Sequence, residues 1–156
     1  MWLSTETFRS VVASTPLVSI DLVVCNPQGE ILLGQRLNRP AQGFWFVPGG
    51  RIVKNESLDA AFSRLTRVEL GQAFERSQAR LLGVYEHFYA DSVFAGPNEG
   101  PNTHYVVLGY QLLLPAGETL QPPSSQHGRY HWWQIEEMQA SDEVHANTRA
   151  YLDALS

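Results

Sequence analysis

The chain has 156 residues, of which 44% are hydrophobic and 17% charged, and its formal net charge is -5. This size and composition predict one globular domain over residues 1–156 and no membrane span, since no apolar run is long enough. The acidic charge argues against nucleic acid as a partner, because polyanion binding depends on clustered lysine and arginine. A cytoplasmic location is expected, since the first residues lack a signal-peptide pattern and Cys25 is the single cysteine.

The first half of the chain is predicted to contain a helix, a hairpin and a second helix. Apolar spacing over residues 5–13 indicates a short helix, and Pro16 ends it. The β-branched runs at residues 18–26 and 31–37 flank a Pro-Gln-Gly turn and predict a hairpin. An apolar strand at residues 44–47 then leads through a glycine-rich loop to a helix over residues 57–70.

The second half is predicted to be mainly strands. Residues 79–89 and 104–114 read as long strands and residues 129–134 as a shorter aromatic one. Paired prolines and serines predict an irregular loop at residues 121–128. A short helix at residues 136–140 and a final helix, capped by Asp142 and reaching Leu155, complete the chain. Strands interleaved with few helices predict an α+β fold, with a mixed sheet flanked by helices as an α/β/α sandwich.

Residues 47–71 (VPGGRIVKNESLDAAFSRLTRVELG) combine a glycine loop with charged residues at helical spacing. Because glycine has no side chain, the backbone at Gly49 and Gly50 can approach a metal or a phosphate closely. Glu56 lies at the entrance to the helix, and Arg64 and Glu69 follow on later turns. These side chains could converge on one magnesium diphosphate.

Arginine supplies nearly all the positive charge, and Lys54 is the single lysine. Several arginines fall beside the glycine loop, where their planar fork suits phosphate oxygens. A small phosphorylated ligand is therefore expected. Arg39 and Arg67 are expected to be solvated surface instead.

This segment resembles the signature of the Nudix diphosphate hydrolases. That signature ends Arg, Glu, apolar, any, Glu, Glu, whereas here Leu65 and Val68 replace two of the carboxylates and Glu69 remains. In the family, the carboxylate cluster gathers several divalent ions and activates a water for attack on phosphorus. The departure implies a single magnesium ion and a water-activating group elsewhere in the chain.

Longer segments resemble the GDP-mannose mannosyl hydrolases, a family similar to Nudix proteins in fold. They are STPLVSIDLVV (14–24), LLGQRLNRPAQGFWFVPGGR (32–51), GVYEHFY (83–89), THYVVLGY (103–110), QHGRYHWW (126–133) and SDEVHANTRAY (141–151). The resemblance implies hydrolysis of a nucleotide sugar, GDP-mannose or GDP-glucose, to GDP and free sugar, with attack at the anomeric carbon and inversion. It also implies a homodimer.

The same resemblance implies the metal ligands and the general base. Glu69 would bind magnesium through its carboxylate, and Gly49 or Gly50 through a backbone carbonyl. Gln126 would be a further ligand, and His127 would be the general base, a role that suits its unperturbed pKa of about 6.5. From the residues alone, the Gln-His pair could equally be hydrogen-bonded to backbone.

The resemblance also implies the residues that bind the substrate. Arg36 and Arg51 would grip the diphosphate, Tyr105 would donate its hydroxyl to the leaving group, and Asp21 and His87 would contact sugar hydroxyls or orient one another. The residues alone leave alternatives open. Asp21 could accept a structural hydrogen bond, and His87 and Tyr105 could be half-buried packing residues.

Two questions about function stay open from the sequence. Arg64 would either join the arginines on the diphosphate or remain paired with Glu56. A Nudix pyrophosphohydrolase that cleaves the diphosphate, or a non-catalytic module that binds nucleotide sugars, would be alternatives to glycosyl hydrolysis.

Overall fold

A mixed β-sheet forms the centre of the fold, with seven strands among the described residues. The computed structural model describes residues 2–120, 122 and 127–155, and it describes residues 127 and 128 by their backbone alone. The strands are β1 (Leu17–Cys25), β2 (Ile31–Arg36), β3 (Trp45–Phe46), β4 (Gly49–Arg51), β5 (Ala79–Tyr89), β6 (Thr103–Leu113) and β7 (His127–Trp133). The helices are α1 (Thr5–Ser14), α2 (Leu58–Leu70), α3 (Ile135–Ala140) and α4 (Ala146–Arg149), with 3-10 turns at Arg76–Gln78 and Leu152–Ala154.

Strand β1 lies in the middle of the sheet. It runs parallel to β6 and antiparallel to β4, and it meets β2 at Cys25 and Ile31. Strands β5 and β6 form a long antiparallel pair, while β2 pairs with β3 and β7. The sheet is therefore mixed, as predicted.

Apolar side chains pack on both faces of the sheet, because β1 is buried on both sides and its residues alternate between them. Ile20 and Leu22 join the core under α2, which includes Phe62. Val23 joins a second core with Met138 of α3 and other residues near the carboxyl end of the chain. Helices thus cover both faces, and the predicted α+β sandwich is confirmed. Among the described residues, no helix has the length and apolar character needed to cross a membrane.

Helix α2 begins and ends where its sequence indicates. The Ser57 hydroxyl accepts a hydrogen bond from the Ala60 amide at 3.1 Å, which satisfies one free N–H at the start of the helix. Gly71 ends the helix with a φ of 81°, a left-handed conformation that glycine adopts without strain. The helix predicted over residues 57–70 is confirmed.

Two sequence predictions near the carboxyl end are wrong. Strand β7 begins at His127, two residues before the predicted start at Arg129, because His127 pairs with Arg36 and extends the ladder to β2. Residues 127 and 128 of the predicted irregular loop therefore belong to β7, and the rest of that segment, apart from Pro122, lies outside the described residues. The final helix does not begin at Asp142, and α4 starts at Ala146 with His145 as its N-cap.

The reason for the late start of α4 is pairing with β3. The amide of Trp45 donates to the Glu143 carbonyl at 2.8 Å, and the amide of His145 donates to the Trp45 carbonyl at 3.1 Å. These two bonds form a single parallel bridge between Val144 and Trp45 of β3. The helical turn can begin only after them.

Candidate active site

A cavity of about 560 Å³ lies beside the middle of β1, and α2 and several strands contribute to its lining. Gln126 lies outside the described residues, and the backbone of His127 pairs with that of Arg36, which lines the cavity. The other site residues expected from the sequence are brought together in the lining: Asp21, Arg36, Gly49, Gly50, Arg51, Arg64, Glu69, His87 and Tyr105.

The glycine segment that was predicted as a loop forms the start of β4, because Gly49 and Gly50 pair with β1, and it passes very close to its neighbours. A Cβ at Gly49 would collide with the Ile20 carbonyl oxygen and would lie 2.6 Å from Oδ1 of Asp21. A Cβ at Gly50 would lie 2.6 Å from Cδ2 of Leu65. Gly49 therefore requires glycine, because backbone atoms oppose a side chain there, whereas at Gly50 the Leu65 side chain would have to move. This segment of β4 lies directly between β1 and α2.

Two buried carboxylates face this loop. The Gly49 amide donates to Oε1 of Glu69 at 3.3 Å, and burial raises the pKa of Glu69 to about 7. Burial likewise raises the pKa of Asp21 to about 7. Hydrogen bonding from Tyr151 and the charge of Arg36 oppose that rise, and the Glu69 carboxylate adds to it. A bound cation would stabilise both carboxylates in their charged form.

The described donor atoms fit one magnesium ion. Within the part of the chain that the structure describes, no three His, Cys, Asp or Glu side chains form a metal-holding group. Glu69 offers a buried carboxylate, and the carbonyls of Gly49 and Gly50 belong to the adjoining loop. Magnesium prefers oxygen ligands and commonly takes one or two protein carboxylates, with water and phosphate completing its shell. A single ion with few protein ligands suits this set.

Helix α2 presents apolar residues where the signature has its other carboxylates. Leu65 packs in the core beneath Gly50, whereas Val68 is partly exposed and lines the cavity beside Glu69. Of the two carboxylates in α2, Asp59 and Glu69, Glu69 alone lines the cavity. Arg67, expected to be solvated surface, is exposed and also lines the cavity.

Arg64 is held in a two-point ion pair with Glu56. Its Nε donates to Oε2 at 2.6 Å and its Nη2 to Oε1 at 2.9 Å, while Nη2 also donates to the Arg51 carbonyl at 2.9 Å. The hydrogen bond from Arg64 lowers the pKa of Glu56. The pair thus ties the start of α2 to the end of β4, which carries Arg51 into the cavity.

Arg36 and Arg51 reach the cavity from different strands. Arg36 donates from Nε to the Pro40 carbonyl at 3.2 Å, which orients its guanidinium. The Arg51 guanidinium lies over the ring of Phe8 in α1, 4.9 Å from the centroid. A cation over an aromatic face is attracted to it, so α1 supports Arg51 from outside the sheet.

His87 and Tyr105 lie side by side on paired strands. His87 is buried, and its Nε2 has no hydrogen-bond partner among the described residues. Burial, reinforced by His145, lowers the pKa of His87 to about 4, so the ring is neutral at pH 7. Burial raises the pKa of Tyr105, which keeps its hydroxyl protonated and able to donate.

Several contributors to the site were not recognised from the sequence. Tyr89 lines the cavity two residues after His87, and strand alternation could have placed it on the same face. Trp2 also lines the cavity, without a sequence signal. The Tyr151 hydroxyl donates to Oδ2 of Asp21 at 2.6 Å, a contact between residues 130 positions apart that no local pattern indicates.

The mixed sheet, the glycine segment of β4 and the helix bearing Glu69 together define a Nudix fold. The chain belongs to the Nudix family, since the family model described as "NUDIX domain" matches residues 15–155.

Individual relatives agree with this assignment. The chain is 40% identical over 109 residues to the low-salt glycan biosynthesis protein Agl8 of Haloferax volcanii, a match that covers 70% of the chain and 66% of Agl8. It is 31% identical over 70 residues to the 8-oxo-dGTP diphosphatase of Proteus vulgaris, covering 44% of the chain and 61% of that protein. The matches span just under two thirds of each relative. Its fold is similar to the MutT NUDIX hydrolase from Burkholderia pseudomallei, with a TM-score of 0.71, 26% identity and coverage of 92% and 100% of the two chains.

Proposed function

We propose that this Nudix protein is a magnesium-dependent hydrolase that converts GDP-mannose, and also GDP-glucose, to GDP and the free sugar. The observation that carries the proposal is the cavity face of α2, where Glu69 is the one carboxylate and Leu65 and Val68 occupy the other signature positions. Attack on phosphorus by a metal-activated water would draw on the absent carboxylates. Attack on the anomeric carbon requires fewer metal-binding carboxylates on the helix, because the metal ion then has only to neutralise the charge of the departing diphosphate.

Glu69 would hold the ion together with a backbone carbonyl of Gly49 or Gly50. Gln126, outside the described residues, would be the further protein ligand. When bound, magnesium neutralises negative charge on the diphosphate and so makes GDP a better leaving group.

The chain's own cations and donors would bind the same diphosphate. Arg36 and Arg51 reach the cavity on separate strands, and guanidinium groups suit phosphate oxygens. Tyr105 would donate its protonated hydroxyl to the leaving oxygen. Arg64, already engaged by Glu56, would serve by fixing the end of β4, which carries Arg51.

The sugar would lie near Asp21 and His87. Both side chains are buried in the cavity wall, and Nε2 of His87 has no hydrogen-bond partner among the described residues. A buried polar atom without a partner is costly, so a sugar hydroxyl would satisfy it. The name of Agl8 places that relative in glycan biosynthesis, which supports a sugar-containing substrate.

His127 would act as the general base. Its backbone is paired with that of Arg36, so the start of β7 lies next to a residue of the cavity wall. A base that delivers water to the face opposite the departing GDP produces inversion, as in inverting glycoside hydrolysis. The family resemblance further supports a homodimer, and the single cysteine, Cys25, suits the reducing cytoplasm.

Hydrolysis in ¹⁸O-labelled water tests the proposal. The label should enter the sugar and be absent from phosphate, and proton NMR should show β-sugar released first from an α-linked donor. Label in phosphate would overturn the proposal in favour of a pyrophosphohydrolase that cleaves between the phosphorus atoms, as the name of the Proteus vulgaris relative suggests for that protein. Magnesium-enhanced binding without turnover would instead indicate a binding module.

A further inference from the structure

Asp21 lies between glycines on both neighbouring strands, Gly49 on β4 and Gly109 on β6. Gly109 interrupts an apolar strand, where glycine is otherwise unfavourable. A Cβ at this position would lie 2.6 Å from Cε1 of Tyr151. The missing side chain therefore makes room for the Tyr151 ring, which also packs edge-on against Tyr85 with 4.6 Å between centroids.

From this position Tyr151 engages one oxygen of Asp21. Its hydroxyl donates to Oδ2 at 2.6 Å, and both side chains are buried. The other oxygen, Oδ1, lies on the Gly49 side, because a Cβ at Gly49 would be 2.6 Å from it. The hydrogen bond therefore leaves Oδ1 directed toward the glycine loop that lines the cavity.

The segment that carries Tyr151 is fastened to the same site. The Val47 amide, just before the glycine loop, donates to Oγ1 of Thr148 at 3.3 Å. Earlier in this segment, the backbone carbonyl of Glu143 and the amide of His145 pair with Trp45 in β3. These contacts fix where Tyr151 stands relative to β1, so its hydroxyl can hold Asp21 in one rotamer.

We propose that Tyr151 is a positioning residue, which orients the Asp21 carboxylate so that Oδ1 faces the substrate. This inference rests on the proposed function, in which Asp21 contacts the sugar. Without the hydroxyl, the carboxylate would lose its donor inside a buried site and turn toward another one. Oδ1 of Asp21 would then no longer point toward the substrate.

Kinetics of Tyr151→Phe with GDP-mannose test this role. Loss of the hydroxyl leaves a buried acceptor without its donor, so kcat/KM is expected to fall by about 10- to 100-fold. Tyr85→Phe is the matched control, since it removes a hydroxyl from the ring packed against Tyr151, and it should leave kcat/KM within about twofold of wild type.

A double-mutant cycle separates positioning from general damage. In an Asp21→Ala background, Tyr151→Phe should change kcat/KM by less than about twofold, because the carboxylate it orients is gone. An equal loss in both backgrounds would overturn the proposal. Thermal unfolding of each variant identifies any that fails to fold.

Crystal structures of the wild type and of Tyr151→Phe, both without substrate, test directly whether Tyr151 orients Asp21. The Asp21 carboxylate should adopt a different rotamer in Tyr151→Phe than in the wild type, and an unchanged rotamer would refute positioning by Tyr151. Absence of sugar release from GDP-mannose by the wild type would refute the proposed function alone, since the rotamer comparison would still stand.

Discussion

Replacing Glu56 by glutamine should lower the free energy of unfolding by about 2 kcal/mol at pH 7. Glu56 accepts two hydrogen bonds from Arg64, at 2.6 and 2.9 Å, and one from the Val53 amide at 3.0 Å. The two side chains of the pair are 15% and 21% exposed. This places the pair between exposed ion pairs, worth about 0–1 kcal/mol, and buried ones, whose disruption costs about 3–5 kcal/mol. Glutamine has nearly the same size and shape as glutamate, so the loss of stability comes mainly from removing the negative charge.

Thermal and urea unfolding measure this loss, and about 2 kcal/mol corresponds to a fall in Tm of about 4–8 °C for a chain of this size. The hydrogen bond from Arg64 lowers the pKa of Glu56. Its stabilisation is therefore complete above the ordinary pKa of about 4.3 and disappears as the pH falls through the lowered value. The difference between wild type and Glu56→Gln should accordingly shrink near about pH 3.

The second ion pair of the described residues provides a matched control. Arg76 and Asp59 lie 2.7 Å apart, but their side chains are 36% and 75% exposed. Asp59→Asn should therefore cost much less stability than Glu56→Gln, because solvent screens an exposed pair. Equal stability of wild type and Glu56→Gln at pH 7, or a difference that persists undiminished at about pH 3, would refute the reasoning.

Two further predictions concern histidines of the proposed site. His127→Gln should reduce turnover by about 10²- to 10⁴-fold with little loss of substrate binding, and near-normal turnover would remove His127 from the mechanism. His87 has a pKa lowered to about 4, so its ring protons should show no titration by NMR near pH 6. Because the unfolded chain binds that proton at a higher pH than the folded one, the free energy of unfolding should fall as the pH is lowered from about 6.5 to about 4. The His87→Gln variant should lose less stability over the same pH range. Titration of His87 near pH 6.5 would contradict this.

Elements with a strong local pattern were predictable from the sequence. The apolar spacing and the Ser57 cap define α2, and β-branched and aromatic runs define β5 and β6. The failures arise where distant pairing outweighs local preference. The bridge between Trp45 and Val144 delays α4, and pairing with β2 draws Gly128 into β7. Trp45 and β2 are both distant in sequence from the segments with which they pair.

The candidate site shows the same division. The glycine loop, Glu69 and the Arg64 pair could be placed from the spacing of the signature alone, because one loop and one helix carry them. The strand residues that join them in the cavity could be named only through the family resemblance. Neither the signature spacing nor the family resemblance assigned a role to Tyr151. Its hydrogen bond to Asp21 depends on how the carboxyl-terminal segment folds back over Gly109.

The two apolar replacements in the signature differ in their structural surroundings. Leu65 is 4% exposed, belongs to the core with Phe62 and lies directly beneath Gly50. A glutamate there would bury an unpaired charge, so Leu65→Glu should destabilise the fold by about 3 kcal/mol or more. Val68 is 37% exposed and lines the cavity beside Glu69, so Val68→Glu should change stability by less than about 1 kcal/mol.

The exposed replacement can therefore be reversed without loss of the fold, and the buried one cannot. A second carboxylate beside Glu69 should attract a divalent cation, so Val68→Glu should bind magnesium more tightly than Val68→Gln, its neutral matched control. Calorimetric titration with magnesium chloride and thermal unfolding measure the two effects. Unchanged magnesium affinity in Val68→Glu, or wild-type stability in Leu65→Glu, would contradict this account. If both outcomes hold, the core packing of Leu65 beneath Gly50 is what bars this helix from regaining the full carboxylate cluster of its family.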